Sequence, residues 1–404
     1  MAVGLSGLPK LHPVSGIRWG TAVAGIKRDG STDIAVMEIV GGANCAAVFT
    51  RNAFCAAPVT IARRHLKQGS VRYLLINSGN ANAGTGESGL EDAKASCFQL
   101  AGLTGCEGEQ VLPFSTGVIG ESLPVDKLSA ALPAALASLQ NEWGEAAHAI
   151  MTTDTVPKGA SRQLSIAGKS VTITGISKGS GMIHPNMATM LAYVATDAAI
   201  APELLQSCLV RAVDSSFNAI TVDGDTSTND ACMLIATGQG AVTFGSATDD
   251  GFVEFERALI EVCETLAQAI IRDGEGATKL IEVDVRGGRD VNECRQVADV
   301  VALSPLVKTA FFASDPNWGR ILAAVGRAGL VDLDIGAITI HLNDLCIVRG
   351  GGRASDYTEA AGQAVMAQEE VSVIIDLNRG VAAMKLWTCD FSYDYVRINA
   401  EYRT

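Results

Sequence analysis

The sequence predicts a mixed α/β protein with a large first domain and a smaller second one. Strand-like and helix-like segments are interspersed along the whole chain, without the regular rhythm of a repeated βαβ unit. The 404 residues exceed what one hydrophobic core usually serves, which favours two domains. The 42 glycines follow no collagen-like period and indicate many tight turns.

Helical spacing is clearest at residues 252–271, where Phe252, Phe255 and Leu259 begin a series of apolar residues that recurs every three or four positions. Pro202 stands where a helix over residues 202–217 would begin, a favoured position for proline. The other predicted helices cover residues 90–103, 123–139, 292–303 and 320–327.

Strands are indicated by short apolar or alternating segments at residues 34–40, 71–76, 171–174, 230–236, 279–285, 338–342, 371–377 and 382–387. Polar and apolar residues also alternate over residues 391–399, which predicts a half-buried strand near the end of the chain. A glycine-rich stretch at residues 273–277 ends the longest helix, and we place the domain boundary just after it. The predicted domains are residues 1–280 and 281–404.

Composition excludes several classes of function. The net charge of −13 argues against a nucleic-acid partner, because phosphate binding needs clustered Lys and Arg. The longest apolar runs are shorter than a membrane span, and the first residues lack the pattern of a secretory signal. The ten cysteines form no CxxC pair and the five histidines are far apart, so we expect reduced thiols, a cytoplasmic protein and no metal site.

The segment KGSGMIHPNMATMLAYV, residues 178–194, begins as a glycine turn and ends as an apolar strand. Thr189 stands at the entrance of that strand, after the small Ala188. A cut before Thr189 would free an α-amine with a pKa of about 7.7–8.0, which can take the proton of the threonine hydroxyl. Thr189 would then supply both nucleophile and base without a histidine. The spacing alone favours the alternative, an ordinary β-branched strand residue.

The segment PFSTGVIGE, residues 113–121, follows a short apolar strand at residues 110–112. The hydroxyl of Thr116 and the backbone amide of Gly117 can donate two hydrogen bonds to an oxyanion, the usual requirement of acyl transfer. An ordinary glycine turn is the alternative, and it is favoured when the segment is considered alone.

Three carboxylates and several hydroxyls lie within TVDGDTSTND, residues 221–230, without the glutamate that closes a calcium-binding loop. We interpret this segment as a hydrogen-bonded turn network beneath an active site. The segment NSGNANAG, residues 77–84, is a glycine loop able to contact a ligand. It matches no phosphate-binding loop, so we expect neither a nucleotide nor another cofactor.

Together these segments resemble one family, the ornithine acetyltransferases, also called glutamate N-acetyltransferases. Residues 178–191 resemble the family's self-cleavage signature, and residues 115–120 resemble its oxyanion segment. The resemblance extends in order over nearly the whole chain through the motifs MTTDT, TVDGDTSTND, DGEGATK, DPNWGR and INAEYRT. It implies a layered sheet-and-helix architecture of the N-terminal-nucleophile type, with a smaller C-terminal α/β domain that completes the substrate site.

The resemblance also implies how the residues act. The precursor would cut itself into an alpha chain that ends at Ala188 and a beta chain that begins at Thr189. Thr189 would attack the acetyl donor, while Thr116 and Gly117 would stabilise the tetrahedral oxyanion. The implied substrate contacts are Lys178, Thr189, Glu275, Asn399, Thr404 and Thr152, for which Thr153 is an equally reasonable alternative.

The implied reaction is ping-pong acetyl transfer from N-acetylornithine to glutamate through acetyl-Thr189, within arginine biosynthesis. Some members of the family also accept acetyl-CoA, and no feature of the sequence decides this. The resemblance further implies a heterotetramer of two alpha and two beta chains. A self-cleaving aminopeptidase or amidase is one alternative, because such hydrolases share the implied fold. A non-catalytic amino-acid-binding protein, in which Thr189 is only a strand residue, is another.

Overall fold

The computed structural model of the protein describes residues 2–184 and 190–401. The chain divides into two compact units. The larger unit consists of Gly7–Asn218 and Asp225–Ile270, and the smaller unit consists of Met1–Ser6, Ala219–Gly224 and Ile271–Thr404. The domains predicted at residues 1–280 and 281–404 stay a prediction, because compactness does not test which parts of the chain fold on their own.

Strands are numbered in chain order across both units. They are β1 (Ile17–Ala22), β2 (Ile34–Ile39), β3 (Asn44–Phe49), β4 (Tyr73–Asn80), β5 (Val111–Val118), β6 (Lys158–Ile166), β7 (Lys169–Lys178), β8 (Leu191–Thr196), β9 (Ala199–Ile200), β10 (Ile220–Thr221), β11 (Ala231–Ala236), β12 (Thr243–Phe244), β13 (Leu280–Gly288), β14 (Thr339–Leu342), β15 (Leu345–Arg349), β16 (Gly352–Arg353), β17 (Glu370–Asp376) and β18 (Ala382–Cys389).

Helices are numbered in the same way. They are α1 (Ala57–Leu66), α2 (Gly86–Thr104), α3 (Val125–Ala137), α4 (Gly144–Ala149), α5 (Pro202–Ser215), α6 (Phe252–Arg272), α7 (Val291–Ala302), α8 (Pro305–Phe312), α9 (Trp318–Gly326), α10 (Glu359–Met366) and α11 (Tyr393–Ala400).

The larger unit is built on two main sheets. One has the strand order β1-β2-β4-β5, in which β4 and β5 run parallel. The other has the order β3-β11-β8-β7-β6, in which β8 and β11 run parallel. A short pair of strands, β9 and β12, completes the unit. Of the strands that carry candidate site residues, β5 pairs with β4 across an intervening helix, and β7 pairs with β6 and β8, the strands next to it in the chain.

The core of the larger unit lies between its two main sheets. Buried side chains of both sheets belong to one apolar cluster, in which the ring of Tyr193 lies 5.8 Å from that of Trp19 and 5.4 Å from that of Phe114. Helices α1, α2 and α3 pack on the first sheet and α5 packs on the second. The buried apolar residues of α2 and α3 form a separate cluster, whereas Ala62 of α1 belongs to the cluster between the sheets. The resulting order of helices, sheet, sheet and helices confirms the predicted layered α/β class.

The smaller unit has one sheet with the strand order β10-β18-β13-β17-β14-β15-β16. Its interior strand β13 runs parallel to β17 and antiparallel to β18. Helix α7 packs against β13 and β18, and a single apolar cluster joins this sheet to α7, α8 and α9. This unit is also mixed α/β, as predicted for the C-terminal part of the chain.

Most predicted elements are confirmed, with boundaries that shift by a few residues. The strongest helical pattern corresponds to α6, and the helix expected after Pro202 corresponds to α5, with this proline in its first turn. Both predicted helices agree with the observed ones because an amphipathic pattern and a proline at a helix start are local signals. Strands lie at every position where one was predicted upstream of residue 390.

The strand predicted at residues 391–399 is wrong, because this segment forms helix α11. Ser392 caps the helix, and its hydroxyl accepts a hydrogen bond of 3.2 Å from the Asp394 amide. The rings of Phe391 and Tyr395 stack 4.7 Å apart, and a helical turn brings residues four positions apart together in this way. The alternation was misleading because Tyr393 and Val396 are exposed, with 84% and 66% of their surface accessible.

Candidate active site

Thr116 and Gly117 lie within β5, which continues to Val118. The expected strand at residues 110–112 is therefore too short, and the glycine turn is instead part of the sheet. Gly117 has a φ of 136° and pairs with Gly79 of β4. A Cβ atom on Gly117 would lie 2.3 Å from the carbonyl carbon of Gly79, so only glycine permits this approach of the two strands.

Thr116 and Lys178 are in direct contact. The Lys178 Nζ donates a hydrogen bond of 3.0 Å to the Thr116 Oγ1, and both side chains are buried. Lys178 is the last residue of β7, so two sheets contribute to this contact. Because the ammonium is the donor, the threonine hydroxyl keeps its own hydrogen to donate elsewhere. The structure thus joins an expected oxyanion residue to an expected substrate contact.

Asp154 is a buried carboxylate that organises the same region. It accepts hydrogen bonds from the Lys158 Nζ at 2.6 Å, from the Gly179 amide at 2.7 Å and from the Thr152 amide at 3.0 Å. Burial opposes ionisation, but the positive charges of Lys158 and Lys178 and the hydrogen bonds outweigh it and hold the pKa of Asp154 well below its usual range. Asp154 therefore remains a carboxylate that fixes the backbone on both sides of the site.

The two adjacent threonines of the MTTDT motif differ in their contacts. The backbone amide of Thr152 is held by Asp154, whereas the hydroxyl of Thr153 forms a hydrogen bond of 2.7 Å with the hydroxyl of Ser180. A hydroxyl that already binds a neighbouring side chain is a poorer candidate for a substrate contact. The geometry therefore favours Thr152.

Lys27 is a further cation that the sequence did not single out. Its Nζ donates to the carbonyl oxygens of Thr32 and Ala149, at 2.9 and 3.3 Å. Partial burial lowers the pKa of Lys27, and the nearby charge of Lys178 lowers it further, while neighbouring carboxylates including Asp154 oppose the shift. The Lys27 ammonium thus contributes to the positive potential around Lys178.

The acidic segment at residues 221–230 ends in a hydrogen-bonded network, as the sequence indicated. The Asn229 Nδ2 donates to the carbonyl oxygens of Ala81 and Ser115, at 2.7 and 2.9 Å. The Asp230 Oδ1 accepts a hydrogen bond of 2.9 Å from the Met190 amide. Burial raises the pKa of the Asp230 carboxyl well above its ordinary value, against the opposing effects of that hydrogen bond and of nearby positive charge.

Three of the residues that the sequence singled out lie outside the described part of the chain. They are Ala188, Thr189 and Thr404. The described residue nearest to the expected nucleophile is Met190, whose backbone is fixed at the entrance of β8.

Glu275 and Asn399 of the smaller unit are in direct contact. The Asn399 Nδ2 donates a hydrogen bond of 2.8 Å to the Glu275 Oε2, and Glu275 is buried. A Cβ atom on Gly276 would lie 2.5 Å from the Tyr395 amide nitrogen, so this glycine allows α11 to approach the segment that carries Glu275. The structure therefore brings together two of the expected substrate contacts.

Sequence reasoning missed the roles of Asp154 and Asp230. Both residues stood within motifs of interest, but Gly179 and Met190, whose amides they bind, lie 25 and 40 residues away in the chain. Their presence within those motifs was the only signal that the sequence offered. Neither burial nor the identity of such distant partners is visible in the local sequence.

Within residues 2–184 and 190–401, no group of three or more His, Cys, Asp or Glu side chains is placed to hold a metal ion. Every helix in those ranges falls short of the length and hydrophobicity that a membrane span requires. All ten cysteines are free thiols.

Similarity to known proteins identifies the family. The ArgJ family model matches residues 18–404. The arginine biosynthesis bifunctional protein ArgJ of Pseudomonas fluorescens (strain Pf0-1) is 57% identical over 406 residues, covering 100% of both chains. The protein of the same name from Methylococcus capsulatus is 58% identical over 396 residues, covering 98% of this chain and 97% of the relative.

A solved structure of ornithine acetyltransferase from Mycobacterium tuberculosis, complexed with ornithine, is 35% identical to the chain. It covers 43% of this chain and 92% of its own, with a TM-score of 0.37. The full-length relatives define the class of the protein as an enzyme of arginine biosynthesis. The chain belongs to the ArgJ family. The predicted family and enzyme class are confirmed, and the aminopeptidase alternative has less support.

Proposed function

We propose that this enzyme transfers the acetyl group of N-acetylornithine to glutamate through an acetyl ester on Thr189, after self-cleavage between Ala188 and Thr189. The single observation that carries the proposal is the buried hydrogen bond between Lys178 and Thr116. It holds a hydroxyl donor beside a positive charge, which is what an acyl-transfer oxyanion requires.

In the first half-reaction, the α-amine of Thr189 takes the proton of its hydroxyl as the oxygen attacks the acetyl carbonyl carbon. The oxyanion of the tetrahedral intermediate accepts hydrogen bonds from the Thr116 hydroxyl and the Gly117 amide. The bond from the acetyl carbon to the ornithine nitrogen then breaks. The proton held by the α-amine passes to that nitrogen, and ornithine leaves.

In the second half-reaction, the amine of glutamate attacks the acetyl ester. The same oxyanion donors stabilise the second tetrahedral intermediate, and the bond to the Thr189 oxygen breaks. The α-amine of Thr189 takes the proton of the attacking amine and returns it to the hydroxyl oxygen. N-acetylglutamate leaves, and the free threonine is regenerated without a metal ion or an organic cofactor.

The remaining candidate residues suit substrate recognition by their charge and hydrogen-bonding groups. The Lys178 ammonium suits the α-carboxylate of an amino acid and also strengthens the Thr116 hydroxyl as a donor. The Glu275 carboxylate suits an ammonium of ornithine, and Asn399 holds that carboxylate in place. Thr152 is the preferred contact over Thr153, because the Thr153 hydroxyl binds Ser180. Thr404 completes the set of substrate contacts.

Acetyl-CoA is a second acetyl donor to test. The two full-length relatives are named bifunctional, which supports acetylation of glutamate by acetyl-CoA as well as by N-acetylornithine. We infer the same pair of activities here. The family resemblance also supports a cytoplasmic heterotetramer of two alpha and two beta chains, which native mass spectrometry of the purified protein tests directly.

The proposal is tested by following N-acetylornithine with and without glutamate. We expect ornithine and N-acetylglutamate to appear in equal amounts when both substrates are present. Without glutamate, release of ornithine should stop after one equivalent per active site. Continued release of ornithine and acetate without glutamate would instead establish a hydrolase, the aminopeptidase-like alternative.

A further inference from the structure

Asn229 and Asp230 stand directly before β11 and connect the two main sheets of the larger unit. They are buried, with 7% and 1% of their surface accessible. Neither residue takes a direct part in the proposed acetyl transfer. Their side chains form hydrogen bonds with the backbone of Met190, next to Thr189, and of Ser115, next to Thr116.

Asp230 fixes the residue that follows Thr189. The Met190 amide donates to the Asp230 Oδ1 at 2.9 Å, and the Met190 carbonyl oxygen accepts a hydrogen bond of 3.1 Å from the Ala231 amide. Both polar backbone groups of Met190 are therefore held by consecutive residues. The start of β8 has little freedom to move relative to β11.

Asn229 fixes the residue that precedes Thr116. Its Nδ2 donates to the carbonyl oxygen of Ser115 at 2.9 Å, and its Oδ1 accepts a hydrogen bond of 2.5 Å from the Thr228 hydroxyl. The second hydrogen of the amide goes to the Ala81 carbonyl oxygen at 2.7 Å. Each polar atom of this side chain is engaged, so its orientation is fixed.

We propose that Asn229 and Asp230 are positioning residues that set the distance between the proposed nucleophile and the proposed oxyanion donors. One residue binds the backbone next to Thr189 and its neighbour binds the backbone next to Thr116, so the pair acts as a rigid connection between β8 and β5. This inference rests on the proposed function, since it needs Thr189 and Thr116 to be the reacting and stabilising groups.

A positioning role predicts effects that a merely structural role does not. Displacement of reacting groups by about 1 Å can cost a hundredfold in rate. Both self-cleavage and acetyl transfer need Thr189 aligned with the oxyanion donors, so both should slow together. The KM for N-acetylornithine should change little, because the loss concerns the transition state rather than substrate binding.

The first test compares Asn229→Ala with Thr237→Val. The buried Thr237 lies just after the opposite end of β11, and its hydroxyl donates to the Ser15 carbonyl oxygen at 2.7 Å. Both variants lose long-range hydrogen bonds to a backbone carbonyl, but only Asn229 touches the oxyanion strand. We expect Asn229→Ala to lower kcat and the self-cleavage rate by about tenfold to a hundredfold, and Thr237→Val to leave both within about twofold.

The second test compares Asp230→Ala with Asp230→Asn. Burial raises the pKa of this carboxyl, so a neutral amide is a close replacement that keeps an oxygen to accept from Met190. Asp230→Asn should restore at least about a tenth of the activity that Asp230→Ala loses. Because the Asn variant preserves the packing, this pair decides the question even if Asn229→Ala does not fold.

The results separate this proposal from the proposed function. Slower self-cleavage and turnover at unchanged KM, with recovery in Asp230→Asn, support the positioning role. If wild-type enzyme cuts itself and transfers acetyl groups, but Asn229→Ala and Asp230→Ala match the kcat of Thr237→Val at equal melting temperature, the positioning role is overturned and the function stands. If wild-type enzyme neither cuts itself nor transfers acetyl groups, both proposals are overturned.

Discussion

The Lys178 ammonium donates a hydrogen bond of 3.0 Å to the Thr116 hydroxyl, although the two residues are 62 positions apart in the chain. Both are buried, and the Asp154 carboxylate compensates the charge of the nearby lysines. A hydroxyl held in this way keeps its hydrogen for another acceptor and lies beside a positive charge. The contact therefore supports the proposed role of Thr116 as an oxyanion donor.

Thr116→Ala should reduce acetyl transfer by about a hundredfold to a thousandfold, the typical effect of removing one oxyanion donor. Steady-state kinetics on fully cleaved enzyme measure this loss separately from any defect in self-cleavage. Thr116→Ser is the matched control, because it keeps the hydroxyl that Lys178 binds. A turnover number for Thr116→Ala close to that of wild type would show that the oxyanion assignment is wrong.

Gly117→Ala should destabilise the protein as well as inactivate it. The φ of 136° costs about 1–3 kcal/mol for a residue with a Cβ, and the close approach of Gly79 adds to this cost. Thermal unfolding should show a lower Tm than for wild type. Gly120→Ala is a useful comparison, because its φ of 86° is also positive but no atom of residues 2–184 and 190–401 lies within 4 Å of the added Cβ. Equal Tm losses for the two variants would argue against a close contact at Gly117.

Asp230→Asn should become more stable relative to wild type as the pH rises. Burial raises the pKa of Asp230 in the folded protein, whereas the unfolded chain ionises near the ordinary value of about 3.9. Wild type therefore loses stability as the pH rises between those two values, by at most about 1.4 kcal/mol per pH unit. Urea unfolding from about pH 5 to pH 8, with both proteins in the same cleavage state, measures the difference. A difference that does not vary with pH would contradict a raised pKa.

Deletion of residues 401–404 should raise the KM for N-acetylornithine severalfold with little change in Tm. These residues follow α11, which has no buried residue and so contributes little to the core. The deletion removes Thr404 and leaves the contact between Asn399 and Glu275. Arg397→Ala, which removes an exposed ion pair to Asp394, is the control and should behave as wild type. Unchanged kinetics after the deletion would show that residues 401–404 do not contribute to the substrate site.

Local patterns predicted much of the fold. The spacing of apolar residues in α6 and the proline at the start of α5 were sufficient, because both signals act within a few turns of helix. The same reasoning failed for α11, where exposed aromatic residues imitate the alternation of a strand. The sequence does not show which of these residues are buried, so it cannot distinguish the pattern of a strand from that of a helix here.

Site residues were predicted mainly from the family resemblance, and their contacts were not predicted. The hydrogen bond between Lys178 and Thr116 depends on how two sheets face each other, which no local pattern encodes. The same applies to Asp154 and Asp230. Their opposite pKa shifts arise from the surroundings, since two lysines surround the first carboxyl and burial dominates at the second.

The central claim is that Thr189 becomes an N-terminal nucleophile. The intact mass of the purified, active enzyme under denaturing conditions, before and after brief exposure to N-acetylornithine without glutamate, tests it most directly. We predict two chains that meet between Ala188 and Thr189, with one acetyl group added to the chain that begins at Thr189. Thr189→Ala should give a single chain that is neither cut nor acetylated. Active enzyme that consists only of the uncut chain, or an acetyl group on another residue, would contradict it.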